Sequence, residues 1–313
     1  MGLQEQIALI EEPDSSACVT VGTFDGVHKG HQALLQTLVE TAKRNGTKSV
    51  ALSFRQPPRS VIEPTRQTPH LYDAKARTSL IKQQGIDVVQ LIDFDDEIRV
   101  ISAEDFLTTL QTSLGMRHVV IGERATIGHD RQSIDQIDQI AQRNGFQLHT
   151  VPPVIRNDQI VSSSLIRSEL TTGNVKSAAE MLGRLYERGG KVVRGKERAR
   201  QMGVPTANMK WSRDLVMPGP GIYATWAKLP DGRALPSGTY IGDNPTFGGN
   251  GSAFEVHIKD FDEDLYDQYV SVEFIDFIRG DDEFDSVEEL ESQIQKDVEQ
   301  INQIFDSMPP RTR

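Results

Sequence analysis

Between Gly22 and His31 the chain reads Gly22-Thr23-Phe24-Asp25-Gly26-Val27-His28-Lys29-Gly30-His31. A short apolar run, Ala17–Gly22, leads into this stretch, and a helical pattern, His31–Arg44, follows it. A turn that ends a strand and opens a helix offers phosphate its backbone N–H groups and the positive end of the helix dipole. Gly22, Gly26 and Gly30 permit tight turns and the close approach of a ligand. His28 and His31 stand three residues apart at the helix start, so they can face the same side. Two imidazoles so placed can hydrogen-bond a phosphate and stabilise charge as a leaving group departs. No Gly-Lys-Ser or Gly-Lys-Thr follows, so this is not a P-loop. A metal held by His28, His31 and Asp25 is a second reading, but it lacks further spaced ligands.

Three more stretches carry usable chemistry. In Val161-Ser162-Ser163-Ser164-Leu165-Ile166-Arg167, hydroxyls at a helix start can cap N–H groups, and Arg167 can reach a triphosphate. Taken alone, it is also an ordinary helix cap with a surface arginine. In Gly203-Val204-Pro205-Thr206-Ala207-Asn208, the Thr206 hydroxyl and the Asn208 carbonyl are hard oxygen ligands suited to Mg²⁺ shared with nucleotide phosphates. In isolation it reads equally as a proline-led turn. In Phe254-Glu255-Val256-His257-Ile258, alternation sends Phe254, Val256 and Ile258 to one face and leaves Glu255 and His257 on the other. Glu255 can therefore project into a barrel mouth, or simply be an exposed strand residue.

These residues need elements to position them. Up to Val151 the pattern alternates: strands at Ala17–Gly22, Ser49–Phe54, Val88–Ile92, His118–Gly122 and Gln147–Val151, with helices at His31–Arg44, Lys75–Gln84, Ala103–Leu114 and Ser133–Asn144 between them. That alternation predicts a doubly wound parallel sheet with ligands at the carboxyl ends of its strands. Ser162–Leu182 reads as two short helices. Beyond it, Gly189–Arg194, Gly221–Lys228, Ser237–Gly242, Ala253–Lys259 and Val270–Phe277 are short strands parted by turns, which predicts an antiparallel barrel or sandwich. The amphipathic stretch Ser286–Phe305 predicts a helix packed on it. The expected domains are therefore 1–183 and 184–313.

Composition narrows the class. A chain of 313 residues suits about two domains. No apolar run approaches the ~18 residues of a membrane span. Met1-Gly2-Leu3-Gln4-Glu5-Gln6 is neither a signal peptide nor a myristoylation site, and Cys18 is the single cysteine. A cytoplasmic location is expected. With 34 basic against 45 acidic residues, the net charge of −11 argues against a general nucleic-acid coat. One island opposes this trend: Arg184, Arg188, Lys191, Arg194, Lys196, Arg198 and Arg200, countered only by Glu187 and Glu197. It suits a phosphorylated small molecule better than a long polyanion, although charge runs are often only solvated surface. A nucleic-acid-binding module using this island is the reading from a different class, and Tyr186 as its single aromatic argues against base stacking.

The stretch His28–His31 resembles the HxGH motif of small-molecule nucleotidyltransferases, and GTFDGVHKGH in full resembles the bacterial bifunctional riboflavin kinase/FAD synthetase family. SSSLIR stands where that family has a signature close to ISSTxIR. GVPTAN resembles the riboflavin-kinase signature, preceded by the basic stretch Arg194–Gln201, and Asp243–Gly249 resembles the family's NPTF loop. The resemblance implies phosphorylation of riboflavin to FMN and adenylylation of FMN to FAD, each with ATP and Mg²⁺, and no nucleic-acid or membrane partner. It implies Glu255 as general base, Thr206 and Asn208 as metal ligands, and Gly195, Gly203 and Pro205 at the kinase nucleotide. It further implies His28 and His31 on phosphates, with Gly22 to Gly26, Gly30, Ser163, Ser164 and Arg167 around the first nucleotide. Two departures stand out. Ala199 replaces a usual glycine, which matters little. After the strand His118–Gly122 the family shows Gly-x-Asp/Asn-Phe-x-Phe-Gly, whereas this chain has Gly122-Glu123-Arg124-Ala125-Thr126-Ile127-Gly128. Losing an acid or amide and two aromatics predicts weak FAD formation or an altered flavin pose. A kinase with a degenerate first domain, or a nucleotidyltransferase for another phosphorylated metabolite, fits the same motifs. Oligomeric state is not legible.

Overall fold

A computed structural model describes residues 2–8, 10, 16–63, 68–195, 204–242 and 253–309. The chain separates into two compact units, Met1–Ser163 and Ser164–Arg313. The first runs α1 (Leu3–Ile7), β1 (Ala17–Gly22), α2 (Lys29–Asn45), β2 (Lys48–Phe54), α3 (Pro58–Ile62), α4 (Ala74–Lys82), β3 (Val88–Ile92), α5 (Asp96–Arg99), α6 (Ala103–Leu114), β4 (Met116–Gly122), α7 (Ile134–Asn144), β5 (Gln147–Val151), β6 (Ile155–Arg156) and β7 (Gln159–Ile160). Its sheet is parallel, in the order β3-β2-β1-β4-β5.

Successive residues of each strand feed opposite faces. Cys18, Ala51 and Val120 pack with Leu35, Leu38 and Ala42 of α2 and Ile81 of α4. Val19, Val50, Leu52, Val119 and Ile121 pack on the other side with α1, α6 and α7. After β3 the winding jumps across to β4, so the topological switch lies between β1 and β4. The crevice above their carboxyl ends is where such sheets bind ligands. The five-residue α1 and the two-residue strands β6 and β7 were too short to leave a period in the sequence.

The second unit continues with α8 (Ser163–Thr171), which starts at the boundary, then α9 (Val175–Leu182), β8 (Tyr186–Val193), β9 (Ala207–Lys210), β10 (Gly221–Lys228), β11 (Ala234–Gly242), β12 (Ala253–Ile258), β13 (Tyr269–Arg279) and α10 (Val287–Asp306). The strands close an antiparallel barrel in the order β10-β11-β12-β9-β8-β13. Aromatic rings of Tyr186, Tyr223 and Phe274 fill part of its interior, with Tyr223 edge-on to Phe274 at 5.2 Å. Beside them Thr225 Oγ1 shares hydrogen bonds of 2.7 Å with the hydroxyls of Ser237 and Thr239. Outside, Phe305 of α10 meets Trp226 at 4.7 Å, and the buried Asp297 accepts from Arg279 at 2.9–3.1 Å. Val287, the first residue of α10, is 53% exposed, so the helix engages the barrel farther along. Among the described residues no helix is long and apolar enough to cross a membrane.

Candidate active sites

Strand β1 ends at Gly22, and the six residues before α2 are tightly held. The Thr23 carbonyl accepts from Ser53 Oγ (3.2 Å). Phe24 (φ 51°) and Val27 (φ 39°) lie in the left-handed region, as does Gly26 at 84°. That region costs a side-chain-bearing residue about 1–3 kcal/mol and is a marked outlier for β-branched valine. The buried Asp25 helps over-determine the loop: its carboxyl oxygens accept from the Leu71 N–H (3.0 and 3.1 Å) and the Tyr72 N–H (3.3 Å). From the start of α8, the Ser163 hydroxyl donates to the Asp25 carbonyl (2.8 Å). Ser164 and Arg167 follow on the same helix, and the four-residue step puts Arg167 on the face of Ser163.

The two histidines meet. His28 caps α2, its Nδ1 accepting from the His31 N–H at 3.3 Å, and the rings stack with centroids 3.7 Å apart. A Cβ on Gly30 would sit 3.1 Å from the His28 ring, so glycine lets the ring lie close. Phe24 stands edge-on to His31 at 5.3 Å. Burial holds His31 well below the usual imidazole pKa, and the nearby His28 and Arg77 add to this. Its Nδ1 is buried and has no hydrogen-bond partner among the described residues. The result is a stacked imidazole pair at the carboxyl edge of the sheet, its His31 ring held toward the neutral form. Asp25, which the motif suggested for the nucleotide, spends its carboxyl group on holding two loops together.

The barrel site is built by register. β9 pairs with β12 so that Asn208 stands opposite Glu255, and with β8 so that Asn208 stands opposite Val193. Thr206 Oγ1 donates to Glu255 Oε2 at 3.0 Å, and the His257 ring bonds the Pro205 carbonyl at 2.9 Å. Glu255 is also opposite Tyr240, whereas its neighbour Val256 is opposite the interior Thr239. Its side chain is therefore on the outer wall of the barrel, half-buried, and not in the interior. A Cβ on Gly195 would collide with the Asn208 amide, so glycine allows the two to close. Gly203, Ala199 and the stretch Asp243–Gly249 lie outside the described residues. Thr206 and Asn208 offer the hard oxygens that Mg²⁺ takes, and two protein ligands suit an ion that keeps waters and phosphate oxygens.

Among its described residues the basic island does not form one free face. Arg188 is buried and donates to the Ser212 carbonyl (3.1 Å), and Lys191 pairs with Asp267 (2.8 Å). Arg194 lies over the ring of Tyr266. Tyr186 is fully buried, its hydroxyl donating to Val216 O. Lys196, Arg198 and Arg200 are outside the described residues.

Two family models divide the chain much as these sites do: the FAD synthetase family matches residues 10–165 and the riboflavin kinase family residues 182–305. A Pseudomonas fluorescens protein described as a bifunctional riboflavin kinase/FMN adenylyltransferase is 35% identical over 91% of this chain and 92% of its own length. The chain belongs to the bifunctional riboflavin kinase/FMN adenylyltransferase family. A Haemophilus influenzae member is 31% identical over 92% of this chain and 94% of its own. A solved structure titled as a macrolide-efflux protein from Streptococcus pneumoniae has a TM-score of 0.86 and 31% identity, over 95% of this chain and 96% of its own.

Against the family pattern, the loop after β4 takes a specific shape. The Ala125 N–H turns back onto Gly122 O (2.9 Å), and Ile127 is buried, packing with Ala125 in the core on the α6 side. Arg124 stays exposed at the carboxyl end of β4, beside the switch. The positions where this family carries aromatics thus supply core contacts here. Sequence reasoning missed Arg77, which lies wholly buried on α4. Its one signal was position: it falls four residues before Ile81, on the face that a helix over Lys75–Gln84 must bury.

Proposed function

We propose that this chain phosphorylates riboflavin to FMN at the barrel and adenylylates FMN to FAD at the switch of the parallel sheet, with residues 184–313 serving the first reaction and 1–183 the second. By this division α8 and α9 belong to the adenylyltransferase, although the Gly219 N–H of the barrel unit donates to Leu170 O on α8 (2.9 Å). The observation that carries the reading is the convergence of Thr206 with Glu255, 49 residues apart, on one wall with Asn208.

In the kinase, Glu255 accepts the proton of the ribityl hydroxyl as its oxygen attacks the γ-phosphorus of ATP and ADP leaves. Thr206 holds the carboxyl group in place by its hydrogen bond. Thr206 and Asn208 would bind Mg²⁺, which when present neutralises phosphate charge, while Gly195, Gly203 and Pro205 line the nucleotide. In the adenylyltransferase, a phosphate oxygen of FMN attacks the α-phosphorus of ATP and pyrophosphate leaves. The phosphates lie against the loop Gly22 to Gly26 and Gly30. His28 and His31 donate to them, and Ser163, Ser164 and Arg167 take the leaving pyrophosphate. Neither step needs a covalent enzyme intermediate, since positioning and charge stabilisation suffice. Arg124 and the aliphatic loop after β4 make FAD formation the slower half, because stacking surface for the flavin ring is reduced.

Incubation with riboflavin, ATP and Mg²⁺, followed by separation of the flavins, tests both halves. FMN should appear first and FAD later. Absence of FMN would remove the kinase reading. FMN without any FAD would reduce the first unit to a degenerate domain.

A further inference from the structure

Arg77 is among the largest side chains that are wholly buried, at 1% exposure. Its Nη2 donates to the carbonyls of Phe54 (2.8 Å) and Arg55 (3.0 Å), where β2 ends. Its Nε is also buried and has no partner among the described residues. Keeping a cation out of water is costly unless its charge is compensated. A neutral donor could make the same two bonds, so the positive charge calls for a further reason.

The charged surroundings supply one. The charges that bear on Arg77 are Asp25 in the loop between β1 and α2, Asp73 at the cap of its own helix, and Arg55 in the segment after β2. Burial is the largest influence on its guanidinium and works against the charge, while Asp25 and Asp73 favour it and Arg55 opposes it. Asp73 is occupied by the Ala76 N–H (2.7 Å), and Asp25 by the Leu71 and Tyr72 amides. Arg77 therefore secures the end of β2, whose Ser53 hydroxyl donates to the Thr23 carbonyl of the same loop (3.2 Å); burial first, then the charges of His28 and Arg77, hold His31 below the ordinary imidazole range.

We infer that Arg77 is a positioning residue for adenylyl transfer: it clamps α4 to the end of β2 and places a fixed positive charge beside the Asp25 loop and the His28–His31 pair. The inference rests on the adenylyltransferase reading above. It predicts that the His31 ring stays uncharged, and so keeps one hydrogen-bonding pattern, while phosphates enter and pyrophosphate leaves.

The test uses Arg77→Met and Arg77→Lys in the full chain. Three quantities are read: kcat and KM for FMN adenylylation across about pH 5.5–8.5, the kinase rate in the same preparation, and the NMR titration of the His31 ring. Arg77→Met should lower the adenylylation kcat about 10–100-fold, as misplaced groups do, with the kinase rate within about twofold. His31 should take up its proton at higher pH than in the wild type, carrying the acid limb of the profile upward with it. Arg77→Lys keeps the charge but not the fork, so the limb should return to its wild-type place while kcat stays reduced. If Arg77→Met does not fold, as judged by loss of the dispersed histidine signals of the first unit in the same NMR spectra, the lysine variant decides alone, and a displaced limb there overturns the inference. An unmoved His31 titration in folded Arg77→Met also overturns it, leaving Arg77 a purely structural clamp. A wild-type protein that makes no FAD would defeat the functional reading instead, and the NMR titration would still decide whether Arg77 governs His31.

Discussion

The loop between β1 and α2 holds Phe24 and Val27 in left-handed backbone around a buried Asp25, whereas Thr206, Asn208 and Glu255 stand on or beside extended strands. The first site keeps its geometry through local strain, over-determined by hydrogen bonds from Leu71, Tyr72 and Ser163. The second keeps its geometry through strand register, since one step of slip at β9 would take Asn208 away from Glu255. The difference tracks the chemistry assigned to each. Transfer between two phosphates needs rigidly placed hydrogen-bonding groups around the phosphates. Activation of a hydroxyl needs one well-aimed carboxyl group beside metal-binding oxygens. Damage should therefore remain local to each site, and four measurements test this.

The largest effect is expected at Glu255. Glu255→Gln should lower FMN formation from riboflavin by ~10²–10⁴, the usual worth of general-base assistance, while FAD formation from supplied FMN is unchanged. Near-wild-type kinase turnover would remove Glu255 from its role. Next, His31→Gln should reduce conversion of FMN to FAD by about 10²–10³, as loss of one preorganised charge-stabilising donor does, with the kinase rate preserved. Loss of both activities together would mean that the two sites do not fail independently. A smaller change is expected from Thr206→Ala, which deletes the bond to Glu255 Oε2. About 1 kcal/mol, or roughly fivefold in kinase rate, should be lost, along with a higher Mg²⁺ requirement in titrations at fixed ATP.

The smallest effect is a pH dependence of stability confined to the first unit. Burial lowers the pKa of His31, His118 and His149 from the ordinary 6.5, with neighbouring charges adding to the shift at His31 and His149. The unfolded chain therefore binds protons at these positions more readily than the folded one. Stability is fully present above the unfolded value and falls as pH drops from about 6.5 toward the folded values. Six of the seven histidines precede Ser163, and both tryptophans, Trp211 and Trp226, lie in the barrel unit. Between about pH 7.5 and 5.5, urea unfolding followed by helical circular dichroism should shift to lower denaturant more than unfolding followed by tryptophan fluorescence. Equal shifts would show that the imidazoles do not set the difference.

The sequence by itself determined the alternating sheet of the first unit, the strand-rich second unit and the identity of the motif residues. Those signals are local: a period of two or of about 3.6 and a run of glycines, histidines and hydroxyls survive without any knowledge of partners. It did not reveal β9. Ala207–Lys210 is four residues long, begins two residues after Pro205 and has no usable period, and it becomes a strand only because β8 and β12 offer hydrogen bonds on both sides. That pairing sets Asn208 against Glu255 and turns Glu255 to the outer wall, where alternation alone could say only that it opposes Phe254 and Val256. Tertiary structure likewise decided that Asp25 binds amides, that Ile127 fills core space and that Arg77 is buried against the end of β2. Each of these depends on segments tens of residues apart meeting in three dimensions, and a buried charge has no local signature to distinguish it from a solvated one.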